Sequence, residues 1–146
     1  MHDTTAPYWW HELNCHDLDA AAAFYHRTLG WEFEDARASG GGAYLIARRD
    51  GRPVAGFHRL AAESRGRIPA HWLSYMMVED MDDAIETARA SGGRIVRPPF
   101  EVPGVGRLAL ITDNHDALIG LFEAAADHPL AVAATAASGL GPHQTA

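Results

Sequence analysis

The chain has 146 residues, 47% of them hydrophobic, with 19 acidic and 12 basic side chains and a formal net charge of −7, the profile of one globular domain or of two small halves sharing a core. The acidic balance speaks against nucleic acid or an anionic membrane surface as a partner; all 12 basic residues are arginine, which removes lysine Schiff-base and P-loop chemistry. Cys15 is the single cysteine, so no disulfide forms within the chain and a cytoplasmic setting is expected, with no signal peptide and no apolar run long enough to span a bilayer.

The first predicted element is a strand over 8–15, and it carries a near-miss of a metal motif. The stretch HELNCH (11–16) approaches the HExxH signature of zinc hydrolases. That signature needs two histidines four apart on one helical face. His11 and His16 are five apart, and Tyr8, Trp9 and Trp10 favour a strand, on which an odd separation sends the two imidazoles to opposite faces. No zinc site of this kind is expected. Asp17 then reads as the cap of a helix over about 18–28, with Ala21, Phe24 and Leu29 toward the core and Gly30 as the stop. Three strands follow, over about 31–36, 42–48 and 53–59. The turn Arg49-Asp50-Gly51-Arg52 joins the last two as a hairpin. Residues 60–70 make a linker.

The pattern then starts again. A strand over 71–78 leads to Asp80, a helix over about 81–91 with Ala84, Ile85 and Ala88 inward, the stop Gly92-Gly93, and strands over about 94–97, 106–112 and 117–123. At an offset of 63, Asp17-Leu-Asp-x-Ala falls on Asp80-Met-Asp-x-Ala, Trp9 on Trp72 and Gly30 on Gly93. At 64, Val54-Ala55-Gly56 meets Leu118-Ile119-Gly120. An internal repeat of this kind predicts an α+β fold of two tandem βαβββ modules, about 8–59 and 71–123, within a single domain 1–126. Two such sheets facing one another form a cupped half-barrel cleft, which is a ligand site by construction. Residues 127–146, small and with little periodicity, read as a flexible C-terminal tail.

The segments DLDAAAAFYHRTLGW (17–31), RPVAGF (52–57), WLSYMMVEDMDDA (72–84), SGG (91–93) and GVGRLALITD (104–113) resemble the vicinal oxygen chelate superfamily. This is the group of glyoxalase I, extradiol dioxygenases, fosfomycin-resistance enzymes and bleomycin-binding proteins. The similarity covers residues 9 to 123, and FY…LGW after the first helix is its most specific piece. One departure is Asp113-Asn114-His115-Asp116, where the family has Asp-Pro-x-Gly. The resemblance implies one divalent metal held from the first and fourth strands of each module. Carried onto this chain, those positions are Trp10, Gly56, Leu73 and Gly120, none of which ligates through its side chain. No metal or other cofactor is therefore expected.

Strand alternation gives the lining of the cleft: Trp10, Glu12 and Asn14; Gly56 and His58; Leu73, Tyr75 and Met77; Leu118, Gly120 and Phe122. The other faces, with His11, Leu13, Cys15, Trp72, Met76 and Val78, pack on helices or a partner. Gly56 and Gly120 either widen the cleft floor or permit tight backbone packing. A mostly aromatic and apolar lining with a few polar groups suits a flat organic ligand. Glu12, His58 and Tyr75 form a candidate acid–base set; the plainer reading has Glu12 neutralised by His58 or by Arg107, which is placed with the ligand-binding residues. Cys15 is expected to be inert.

Three functions are consistent with this set, ahead of a purely structural or interaction role in which the cleft is filled by its own side chains. The first is a metal-independent protein of the bleomycin-resistance type that binds an aromatic or polyketide-like small molecule. The second is a metal-free isomerase, cyclase or dehydratase with Glu12 as general base. The third is a metal-dependent lyase or dioxygenase. A homodimer is expected, with Tyr8 and Trp9 as exposed aromatics suited to an interface.

Overall fold

The computed structural model describes residues 9–36, 43–103 and 105–126; the expected tail 127–146, Tyr8 and Gly104 lie outside the described residues. Along the chain run β1 (Trp9–Cys15), α1 (Leu18–Leu29), β2 (Glu32–Asp35), β3 (Tyr44–Arg49), β4 (Arg52–Arg59), a short 3-10 turn (Ala62–Ser64), β5 (His71–Met77), α2 (Met81–Ala90), β6 (Arg94–Val102), β7 (Gly106–Thr112) and β8 (Leu118–Ala124). This is βαβββ twice, in α+β class. The chain divides into two compact units, one of residues 10–74 and one of Trp9 with the described residues from Tyr75 onward.

In the first unit the strand order is β2-β3-β4-β1. β1 runs parallel to β4, with Glu12 beside Gly56 and Asn14 beside His58. β3 runs antiparallel to β4, with Tyr44 opposite His58 and Ile46 opposite Gly56. The alternation of β1 puts Leu13 and Cys15 on the core face, where they pack with Ala47, Ala55 and Phe57 against Leu18, Ala21 and Tyr25 of α1. Asp17 caps α1 by accepting from Ala20 N at 3.0 Å, and Gly30 closes it in the left-handed region at φ 73°. The inward residue of the middle turn is Tyr25, one helical turn after Ala21, rather than Phe24, which is 55% exposed, as Leu29 is at 50%. The reason is the aromatic cluster behind Tyr25: its ring stacks on Trp31 and meets Phe57 and Trp72 edge-on, and its hydroxyl accepts from Trp72 Nε1 at 3.0 Å. Burial pushes the Cys15 thiol up, which disfavours the nucleophilic thiolate.

In the second unit the order is β5-β8-β7-β6. Met81 and Ile85 of α2 pack on Ala109, Ile111 and Leu121, so the odd-numbered residues of β7 face the helix. Asp80 caps α2 through Asp83 N at 3.0 Å, and Glu123 Oε2 accepts from Met81 N at 2.6 Å, tying β8 to the first turn of the helix. β6 extends to Val102, through Pro98 and Pro99. It is the outer strand of the order, where a missing N–H costs no ladder bond, and its register shifts around the prolines. At the turn into β8, Asp113 Oδ1 accepts from His115 N at 2.8 Å and Ala117 N at 3.0 Å. These bonds hold its carboxyl below its ordinary value, and Asp116 adopts the left-handed φ of 68°.

Candidate functional site

The face of the first sheet opposite α1 carries the chemistry. Trp10, Glu12 and Asn14 project there from β1, Gly56 and His58 from β4, and Tyr44 from β3. Glu12 and Gly56 are parallel neighbours. Tyr44 reaches diagonally across from its own partner His58, and its phenol lies over Gly56: a β-carbon at position 56 would overlap the Tyr44 hydroxyl and stand 2.9 Å from Trp10 Nε1. Gly56 thus makes room for a tyrosine of its own unit.

Three side chains are joined over that glycine. Trp10 Nε1 donates to Tyr44 Oη at 2.8 Å, and Tyr44 O–H donates to Glu12 Oε2 at 3.1 Å. Glu12 is partly buried and makes no ion pair among the described residues. Its carboxyl is pushed up to about 7, first by burial, which disfavours the charged form, with the Tyr44 hydrogen bond opposing. A carboxyl in this state exchanges its proton near neutral pH. Farther along the same face, His58 Nδ1 lies 3.1 Å from Asn14 Oδ1. With that oxygen accepting, Nδ1 carries the proton and Nε2 is the basic nitrogen of the neutral ring. Asn14 is buried, and its Nδ2 has no hydrogen-bond partner among the described residues.

The second unit repeats the glycine device. Gly120 pairs with Tyr75 across the parallel β5–β8 ladder. A β-carbon at position 120 would collide with the Tyr75 ring, 2.8 Å from its Cγ. Tyr75 is buried at 7% exposure, and Phe122, paired with Met77, at 6%. Leu73, in the first unit, is buried as well. Arg107, expected at the ligand, lies on the helix-bearing face in phase with Ala109 and Ile111. It donates to Asp82 at 3.0 Å and stands 3.8 Å from Glu123.

The residue that alternation along the first and fourth strands missed is Tyr44. It belongs to a third strand, for which the family resemblance implies no ligand position; the signal for it was a tyrosine on β3 in phase with Ile46, which lies opposite Gly56. A separate hollow of about 370 Å³ at the start of α1 is lined by Asp17, Asp19, Asp35, Arg59, Arg65 and Tyr44. It mixes charges of both signs and leaves out Glu12, so it is not the acid–base site.

The donor set does not fit a catalytic divalent ion. Trp10 offers only an N–H, already given to Tyr44; Gly56 and Gly120 lie under tyrosine rings; Leu73 has no donor atom. Among the described residues, no three histidine, cysteine, aspartate or glutamate side chains gather to hold an ion. No helix among the described residues is long and apolar enough to cross a membrane.

Comparison with known proteins places these features. The model of the Glyoxalase/Bleomycin resistance protein/Dioxygenase superfamily matches residues 8–121. In sequence the chain is similar to a candidate glyoxylase, CFP32, of Mycobacterium tuberculosis: 32% identical over 116 residues, 79% of this chain and 44% of that protein. It is also similar to the anthracycline biosynthesis protein DnrV of Streptomyces peucetius, 29% identical over 124 residues, 77% of this chain and 45% of that protein. The chain spans less than half the length of these curated relatives. In structure it is similar to methylmalonyl-CoA epimerase from Mycobacterium tuberculosis, with TM-score 0.53, 22% identity and coverage of 79% and 85% of the two chains. It also resembles the hypothetical protein BH1468 of Bacillus halodurans, with TM-score 0.60, 12% identity and coverage of 82% and 96%. At these identities the structural likeness shows the fold.

Proposed function

The chain belongs to the glyoxalase/bleomycin resistance protein/dioxygenase superfamily, and from that premise we propose that it binds an aromatic or polyketide-like small molecule without a metal. The ligand lies against the sheet face that carries Trp10, Glu12, Asn14, Tyr44 and His58. The observation that carries this reading is the Trp10–Tyr44–Glu12 chain of hydrogen bonds laid over Gly56, where the family resemblance implies a metal ligand. Partly exposed indole and phenol rings give contact area, and the glutamate and the buried Asn14 amide give orienting polar groups. Similarity to an anthracycline biosynthesis protein favours a fused aromatic skeleton as the guest. A homodimer in the cytoplasm belongs to the same reading; 48% exposure of Trp9 supports an interface there. Calorimetric titration with polycyclic aromatics tests the proposal. Saturable 1:1 binding weakened by Trp10→Ala supports it, and absence of binding by any planar compound to the intact protein refutes it.

A second reading is favoured by the Glu12 carboxyl, raised to about 7: a metal-free isomerisation, cyclisation or dehydration with Glu12 as general base and His58, when protonated at Nε2 as well, as its acid partner. Tyr75, grouped with them from the sequence, is held over Gly120 in the other unit. Glu12→Gln separates the two readings. Turnover lost with affinity kept identifies catalysis; altered affinity without turnover in either protein identifies binding alone.

A further inference from the structure

The hydrogen-bond polarity over Gly56 specifies what Glu12 can offer a ligand. An indole N–H only donates. Trp10 therefore fixes Tyr44 Oη as its acceptor, at 2.8 Å. A hydroxyl has one proton, and Tyr44 spends it on Glu12 Oε2. Glu12 Oε1 has no partner among the described residues, and neither arginine nor histidine neutralises the carboxyl there. With the carboxyl ionised, as it is above about pH 7, the remaining oxygen Oε1 is thus an acceptor with no proton donor and no countercharge among the described residues. An anionic guest meets a like charge in a partly desolvated place. A guest with only an ether or carbonyl oxygen meets acceptor against acceptor. A guest with an O–H on an aromatic ring fills the open valence and lays its ring beside Trp10 and Tyr44.

We infer that the ligand of this face is a neutral hydroxyaromatic, a phenol or aryl enol, whose O–H is directed at Glu12 Oε1. The inference rests on the binding reading above and narrows it to a ligand class. Proton transfer within the pair balances without a further reactant: the aryl O–H bond breaks, its proton joins Glu12 Oε1, the pair of electrons stays on the aryl oxygen, and release reverses both. A carboxyl tuned near neutrality suits an acidic phenol as proton partner.

The test compares three probes on the intact protein by calorimetry at about pH 8, where the Glu12 carboxyl is ionised and a phenol still holds its proton: 1-naphthol, its methyl ether, and 1-naphthoate. The naphthol is expected to bind about tenfold or more tighter than either of the others, the worth of one hydrogen bond to a charged acceptor. Equal affinity for naphthol and ether overturns the inference while leaving aromatic binding standing. Failure of all three to bind overturns the inference together with the reading beneath it. Glu12→Gln gives an independent check. Because Tyr44 still donates, the glutamine must turn its carbonyl toward Tyr44 and its NH2 toward the ligand. The preference for naphthol over the ether should then vanish and naphthoate should gain; an unchanged order of the three in a folded Glu12→Gln protein also overturns the inference.

Discussion

Replacing Glu12 by glutamine separates the cost of its charge from the worth of its shape. Burial raises the carboxyl from 4.5 to about 7, against the pull of the Tyr44 hydrogen bond. Between those values the folded protein keeps a proton that the unfolded chain has released. Stability therefore falls as pH rises through that window, and the deficit is complete above about 7. The full difference amounts to about 3 kcal/mol. Glutamine still accepts from Tyr44 and carries no charge to desolvate. Urea denaturation of the two proteins at pH 5 and pH 8 measures the effect, because subtracting one pH dependence from the other cancels every other titrating group. The wild type should lose up to about 3 kcal/mol relative to Glu12→Gln between the two conditions. Parallel pH curves would refute the claim that this carboxyl is desolvated without a countercharge.

Tyr44→Phe removes the bond that holds the Glu12 carboxyl down, so the midpoint of the same pH dependence should move above about 7; carboxyl carbon shifts followed by NMR across pH read it directly. Gly120→Ala drives a β-carbon into the buried Tyr75 ring and should cost about 1–3 kcal/mol in chemical unfolding. Gly56→Ala meets the hydroxyl end of Tyr44, which two hydrogen bonds hold in place; displacing it should cost about 1–3 kcal/mol, with naphthol binding lost along with the displaced phenol. Glu123→Ala leaves the Met81 N–H without its acceptor and should destabilise by about 1–2 kcal/mol, while Glu123→Gln, which keeps an acceptor oxygen, should cost less than half of that. Asp116→Gly, at a left-handed φ of 68°, should raise the thermal midpoint, with a gain of about 0.5–1 kcal/mol.

Much of the fold is written in short-range chemistry. The paired aspartates 17 and 80 are placed by the offset of 63 and cap their helices as read. Asp50-Gly51 turns the β3–β4 hairpin with both residues at positive φ, 52° and 77°, as a two-residue turn requires. What failed needed knowledge of neighbours. Phe24 and Tyr25 are equally apolar on paper, and only the cluster of Trp31, Phe57 and Trp72 decides which of them turns inward. Pro98-Pro99 read as the end of a strand, although an outer strand tolerates them. Arg107 was assigned to the ligand from its charge, whereas the phase it shares with Ala109 and Ile111 already placed it on the helix side. Tyr44 was hidden because its contact with Glu12 is diagonal across two strands; the two glycines, read either as a widened floor or as a place for tight backbone packing, are the complement of tyrosine rings.

The central claim is that Glu12 and Tyr44 recognise an organic guest with no ion between them. Its most direct test is one calorimetric titration run twice with the tightest-binding hydroxyaromatic, on protein purified without chelator and on the same protein after exhaustive chelation, with metal content measured on both. The account predicts unchanged affinity and no stoichiometric metal in the binding-competent protein. A tightly held divalent ion whose removal abolishes binding, and whose return restores it, would contradict it.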